Sequence, residues 1–290
     1  MKQATLGPPK QTGVNRGMQK GGRSAWFRNL AVGLKTSAAY LFPPFLALLL
    51  AMLAWQLYVR LADKPEYLVP APTRVISKMW EEPGFLAANA WTTTYEALAG
   101  FALGSAIAVV LAILMAHSRL LERSLYPIAV MVKVTPVVAV APMFIIWFGF
   151  GVAPKIFIAA LITFFPVLVN AVTGFRDVSP NALEFLRSVN ASPIEILIKL
   201  RVPSALPYLF AAFKVSATLS VIGAFVAEWI GSSKGLGHVL ALAHSTLDMR
   251  TLFAAVILLA IIGTVFVVII SLLERRLLFW HDSARHQNPE

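Results

Sequence analysis

The chain alternates between long runs with no charged residue and short polar connections. Five such runs reach the length of a membrane crossing: 36–59, 97–118, 134–153, 156–175 and 251–273. A sixth apolar stretch, 202–227, is interrupted only by Lys214. A helix needs about 20 mostly apolar residues to cross a bilayer, and hydrocarbon admits only segments that satisfy their own backbone. The pattern therefore predicts an all-α polytopic membrane protein with six transmembrane helices. The third span is expected to begin before its charge-free run, near Leu125, and to carry Lys133 inside it. Pro127, Pro136, Pro142, Pro154 and Pro166 crowd the third and fourth spans. Each proline removes a helical hydrogen bond, which predicts broken helices here, either as a substrate path or as packing kinks. Gly100, Gly104 and Ala108 form a row of small residues that lets helices approach closely; it reads as packing within one subunit.

Composition agrees with the pattern. The chain is 58% hydrophobic and 13% charged, where a soluble domain carries about 25% charged residues. This excludes an ordinary soluble enzyme, a disordered chain and a water-facing nucleic-acid-binding domain. The net charge of +11 becomes a question of sidedness. Six spans put both termini on one side, and that side would carry 16 Lys and Arg against 7 on the other. Basic residues stay cytoplasmic, so both termini are expected inside. Residues 1–37, with seven basic and no acidic residues, read as a disordered tail beside anionic headgroups. Residues 38–280 form the transmembrane domain and 281–290 a second cytoplasmic tail. The basic segment is too long and polar to open a cleaved signal peptide, so the first span is expected to remain. Between the first two spans, residues 75–80 form an amphipathic stretch suited to the outer interface.

The connection at 176–203 carries the most local information. Ser179 before Pro180 reads as an N-cap with proline in the first turn. Asn190 suits the left-handed residue that closes a helix. Ser192 and Glu195 have capping-box spacing, with Pro193 between them, and Glu195 and Lys199 form an i,i+4 pair. The expected product is a cytoplasmic helix–turn–helix elbow bearing the exposed apolar residues Phe185, Leu186 and Val189. Such a surface calls for a partner or for folding back on its own bundle.

The stretch Glu184-Phe185-Leu186-Arg187-Ser188-Val189-Asn190-Ala191-Ser192, followed by Val202-Pro203, resembles the coupling loop of permease subunits of binding-protein-dependent ABC importers. Glu184 stands at the family's Glu, Phe185 and Leu186 replace its two alanines, and Asn190 replaces its glycine. Val69-Pro70-Ala71-Pro72-Thr73, Ala141-Pro142, Trp147-Phe148-Gly149, Phe164-Phe165-Pro166, Ala227-Glu228 and Gly235-Leu236-Gly237 also resemble family segments. Together they resemble the branch that handles nitrate, sulfonates, taurine and bicarbonate, with relatives that move thiamine and riboflavin precursors. The resemblance implies the type I importer permease fold, working as a homodimer in the bacterial inner membrane. It further implies an extracytoplasmic solute-binding protein and a cytoplasmic ATPase dimer, docked through Glu184, Phe185, Leu186, Arg187, Val189, Asn190 and Ala191, with ATP and Mg on that partner.

The remaining chemistry is sparse. There are no cysteines, hence no thiolate or disulfide chemistry. The chain has no P-loop sequence, so ATP is not expected to bind it. The five histidines lack metal-site spacing, and no catalytic cluster or pair of membrane-embedded carboxylates is evident. Lys133 and Lys214 fall within spans, where a charge costs at least about 2.5–3.5 kcal/mol and faces protein or water. Lys133, Thr135, Pro136 and Trp147 are the candidate substrate-path residues, with Lys133 either attracting an anionic solute or snorkelling. Lys214 is read as structural, with Glu228 a weak candidate partner. The rival reading, a secondary transporter or channel, requires embedded acidic residues for ion coupling.

Overall fold

The computed structural model describes residues 22–63 and 65–278, with side chains from Phe42 onward. The basic tail expected at residues 1–21 and the tail expected at 281–290 lie outside the described residues. Regular structure among the described residues is all helical. In chain order it comprises α1 (Gly22–Leu61), α2 (Pro72–Glu81), α3 (Pro83–His117), α4 (Arg119–Val134), α5 (Val137–Phe148) and α6 (Ala153–Arg176). There follow α7 (Pro180–Ser188), α8 (Pro193–Ile196), a π-helical turn (Leu197–Arg201), α9 (Val202–Gly231), α10 (Leu236–Ser245) and α11 (Met249–Leu277).

Helix α1, up to Tyr58, is one unit and the chain from Val59 onward is a second; each is described by itself. In the first, Phe42–Leu61 is long and apolar enough to cross a membrane. The helix starts at Gly22, earlier than the charge-free run, so residues 22–37 of the expected basic tail are helical. Alanine, leucine and arginine in this segment favour helix.

In the second unit the small residues set the spacing. A Cβ at Gly100 would lie 2.4 Å from Ala159 Cβ, and one at Gly104 would lie 2.4 Å from the Ala160 carbonyl oxygen. Helices α3 and α6 thus meet backbone to backbone, and the row 100/104/108 is used within the chain, as expected. Gly223 packs in the same way against Ala159, and Gly174 against Ala205, which joins α9 to α6. Met115, Leu168, Phe175 and Leu209 fill the core at one end of these helices. Val75, Leu86, Leu236 and Ala254 fill a cluster at the other. The amphipathic stretch 75–80 lies in α2, with Val75 fully buried and Trp80 exposed.

Five helical segments pass for membrane spans, and α4 with α5 passes as a bent pair with 98° between its halves. The third span is therefore not one helix from near Leu125. It starts at Arg119 and breaks at Thr135–Pro136, because Pro136 cannot donate and pushes Thr135 into extended backbone. The pair still counts as one crossing. Arg176, the last residue of α6, donates to the Met115 carbonyl near the end of α3 at 3.1 Å. Lys155 at the start of α6 meets Glu96 in the first half of α3 at 2.8 Å. Helices α3 and α6 are parallel, so the chain between them must traverse the bundle. Helix α9 returns antiparallel, from Arg201 beside Ala116 to Glu228 beside Thr93. Lys214 pairs with Glu274 of α11 at 2.5 Å, which corrects the weak expectation of Glu228 and aligns α11 antiparallel to α9. Of the five prolines, Pro136 alone separates two helices. Pro154 sits in the first turn of α6, and Pro127, Pro142 and Pro166 lie inside continuous helices.

Candidate functional site

The elbow forms at the end of the bundle that gathers the C-terminus of α3, the C-terminus of α6 and the start of α9. Helix α7 begins at Pro180, but the Ser179 side chain makes no capping bond; the proline, which needs no N–H partner, starts the helix instead. Its other end is a Schellman motif. Asn190 has φ +54°, its N–H donates to the Arg187 carbonyl at 3.0 Å, and the Ala191 N–H donates to the Leu186 carbonyl at 2.9 Å. Helix α8 opens with the expected capping box: the Glu195 N–H donates to Ser192 Oγ at 3.3 Å and the Ser192 N–H to Glu195 Oε2 at 2.9 Å. Lys199 completes the pair with Glu195 at 3.2 Å.

These caps fix the turn and leave apolar side chains outside on both of its arms. Phe185 is 65% exposed and Ile194 67%. Val189 and Ile198 are exposed beside them, as are Glu184, Arg187 and Asn190, while Leu186 and Ala191 are half-buried. All seven residues singled out in this loop thus lie on α7 or in the turn that closes it.

The second group does not converge. Lys133 and Thr135 flank the α4–α5 bend with Pro136. The Lys133 ammonium lies 4.8 Å from the centre of the Phe165 ring of α6, a cation–π distance. Thr135 Oγ1 donates back to the Met131 carbonyl at 2.8 Å. Trp147 sits eleven residues after Pro136 along α5, roughly 16 Å at 1.5 Å per residue, and packs edge-on to Phe144. Lys133 and Trp147 are therefore two places rather than one site.

A third group was not anticipated. Glu96 (α3), Lys155 (α6) and Glu228 (α9) are all buried at the end opposite the elbow. Lys155 Nζ donates to Glu96 Oε1 at 2.8 Å, and the Glu96 and Glu228 carboxyl groups adjoin. Thr93 Oγ1 lies 2.7 Å from Glu228 Oε1. The chain following α9 then closes over this cluster through backbone amides. Gly235 donates to Asn89 Oδ1 at 2.8 Å, Leu236 to Thr93 Oγ1 at 2.8 Å, and Gly237 to Glu228 Oε2 at 2.7 Å. Gly235 has φ +100°, and a Cβ there would fall 2.1 Å from the Glu228 carboxyl carbon. Sequence reasoning found no embedded carboxylate pair because Glu96 sits one residue before a charge-free run and Lys155 in the gap between two runs. Each therefore looks like a charge at the boundary of a span. A usable signal was their opposite sign at matching ends of two parallel spans. Among the described residues no group of three His, Asp or Glu is arranged to hold a metal.

Residues 104–279 match the family described as binding-protein-dependent transport system inner membrane component. The riboflavin transport system permease protein RibX of Chloroflexus aurantiacus is 35% identical over 81% of this chain and 89% of its own length. The formylaminopyrimidine transport permease protein ThiX of Halalkalibacterium halodurans is 31% identical over 82% and 95%. Among solved structures, an inward-facing MetNI methionine ABC transporter aligns with a TM-score of 0.59 at 17% identity, covering 68% of this chain and 97% of that one. The last likeness concerns the fold alone.

Proposed function

Because the chain belongs to the family of binding-protein-dependent transport system inner membrane components, the permease subunits of ABC importers, we propose that residues 176–203 are the loop through which ATP hydrolysis drives it. The membership makes the chain a multi-pass transport subunit rather than an enzyme, and implies an ATPase and a binding protein as partners. The observation that carries the proposal is the elbow: a turn fixed by a Schellman motif and a capping box, presenting Phe185, Val189, Ile194 and Ile198 outward. A rigid apolar knob is what a groove on a rotating partner can push. The ATPase, with its ATP and Mg, docks there on the cytoplasmic side. Both termini share that side, and the membrane is the bacterial inner one. Two copies of the chain form the pathway, since one chain supplies one elbow, and lipid surrounds them.

The transported solute is a small nitrate-, sulfonate- or taurine-like anion, or a vitamin precursor. The family resemblance supports this range, and the names of the two relatives support its vitamin end. Lys133, exposed at the α4–α5 bend, is the cation that would meet such a solute.

The test is reconstitution of the chain in proteoliposomes with its ATPase and binding protein. Phe185→Asp should abolish ATPase co-purification and uptake while the chain stays in the membrane. Normal co-purification and uptake would overturn the assignment. The solute follows from measuring which compounds the binding protein retains.

A further inference from the structure

The end of α3 has four carbonyls without helical partners, as every helix does. Here they are met in an unusual way. The Leu114 carbonyl accepts from the Ser118 amide at 3.1 Å. The Met115 carbonyl accepts from Arg176 Nη2 at 3.1 Å, and the Ala116 carbonyl from Arg201 Nη1 at 2.9 Å. Arg176 is the last residue before the elbow and Arg201 the last before α9. The two arginines that bracket the elbow therefore grip adjacent carbonyls of the same helix end. Their charges also complement the negative end of the α3 dipole.

Two details extend the grip. Arg176 Nη1 also binds Glu122 Oε1, in the first turn of α4. Ser118, which closes α3, accepts the Leu121 amide at 3.3 Å and so caps α4 as well. The α3–α4 corner is thus attached at both feet of the elbow. From this corner α4 runs 16 residues, about 22 Å, to the Thr135–Pro136 break and Lys133. Arg201 reaches α3 from the π-helical turn, and π turns frequently mark functional sites. Beside the corner lies a cavity of about 620 Å³ lined by Glu122, Tyr126, Arg176, Asp177 and Tyr208 among others, and the Arg176–Glu122 pair bridges its two sides.

We propose that Arg176 and Arg201 are positioning residues that make the α3–α4 corner move as one body with the elbow, so that a push on the elbow reaches the bend in α4–α5. Without them the elbow would hold α6 and α9, which it joins covalently, and would reach the α3–α4 corner through helix packing alone. The inference rests on the elbow being the ATPase-coupling loop. Arg176 and Arg201 face the bundle, whereas the docking face is formed by Phe185, Val189, Ile194 and Ile198.

The absence of cysteine allows clean labelling. Spin labels at Leu120→Cys on the corner and Asn181→Cys on α7 report their separation in the assembled transporter by pulsed electron resonance. In the otherwise unaltered protein this distance should stay fixed between nucleotide-free and ATP-bound states. In the Arg176→Met/Arg201→Met double variant it should change or broaden, the ATPase should still co-purify and hydrolyse ATP, and uptake should fall roughly tenfold or more, because each bond lost is charge-assisted. Arg176→Met/Arg201→Lys, which keeps the charge at 201 without the guanidinium fork, should recover part of the uptake lost by the double methionine variant. A distance that changes with nucleotide in the unaltered chain overturns the proposal, as does a double variant that transports normally or loses its ATPase. Phe185→Asp separates the two readings: retained ATPase binding there refutes the coupling assignment, whatever the arginine variants do.

Discussion

Removing the ammonium of Lys155 tests the buried cluster most directly. The Lys155–Glu96 bond is 2.8 Å long, with the two side chains 6% and 0% exposed. Exposed ion pairs contribute about 0–1 kcal/mol, but a buried pair broken on one side costs about 3–5 kcal/mol, since a charge is left without a partner. Here the penalty is aggravated, because Glu228 adjoins Glu96 and the two carboxyl groups would face each other with no cation. Lys155→Met should therefore destabilise the chain by about 3–5 kcal/mol. The double variant Lys155→Met/Glu96→Leu should recover most of that, as apolar replacement of a whole buried pair is often close to neutral. The assay is reversible unfolding in mixed micelles, read by circular dichroism, with the four corners of the cycle giving the coupling energy. A cost for Lys155→Met below about 1 kcal/mol, or strict additivity of the two changes, would refute the reasoning.

Three further outcomes follow from single residues. Gly235→Ala forces a Cβ against the Glu228 carboxyl group in a backbone region reserved for glycine; it should cost at least about 1–3 kcal/mol in the same unfolding assay, and a neutral result would show that the amide contacts at 235–237 are dispensable. Asn190→Gly should preserve uptake, whereas Asn190→Val should lower the stability of the elbow by about 1–2 kcal/mol or more, since φ is +54° there; equal uptake and equal protease resistance of the two variants would contradict this. Lys133→Met should leave assembly and ATP hydrolysis intact and reduce uptake, with Lys133→Arg retaining part of it; wild-type uptake by Lys133→Met would reduce the residue to a cation resting on Phe165.

The sequence was legible wherever a single local rule decides the outcome. Charge-free runs located the spans because the bilayer imposes a length. Asn190 and the Ser192–Glu195 box were legible because caps are local bonds with fixed spacing. Ser179 misled because a proline in the first turn starts a helix equally well without the serine's hydroxyl. The 98° bend was legible in kind, through Pro136, but its size depends on what α6 and α9 leave free beside it.

What escaped was long-range pairing. Ala227-Glu228 and Gly235-Leu236-Gly237 were each visible as short motifs, yet nothing in the spacing says that the glycines let three successive amides bond Asn89, Thr93 and that carboxylate. The structure supplies the reason: a Cβ at 235 or 237 would strike the Glu228 side chain. Lys214 shows the same limit from the other direction. Its partner, Glu274, lies 60 residues away on α11, and only the antiparallel course of α9 and α11 brings the two level. Charges near span ends therefore carry two messages. Sidedness can be counted from the sequence, but Lys155 was counted as an outer charge while serving as the cation of a buried site. A count of boundary charges is sound as topology only for those that remain in water. Lys155, with its side chain 6% exposed, does not, and neither does Arg201, half-buried on the Ala116 carbonyl, so each drops out of its own side of the count.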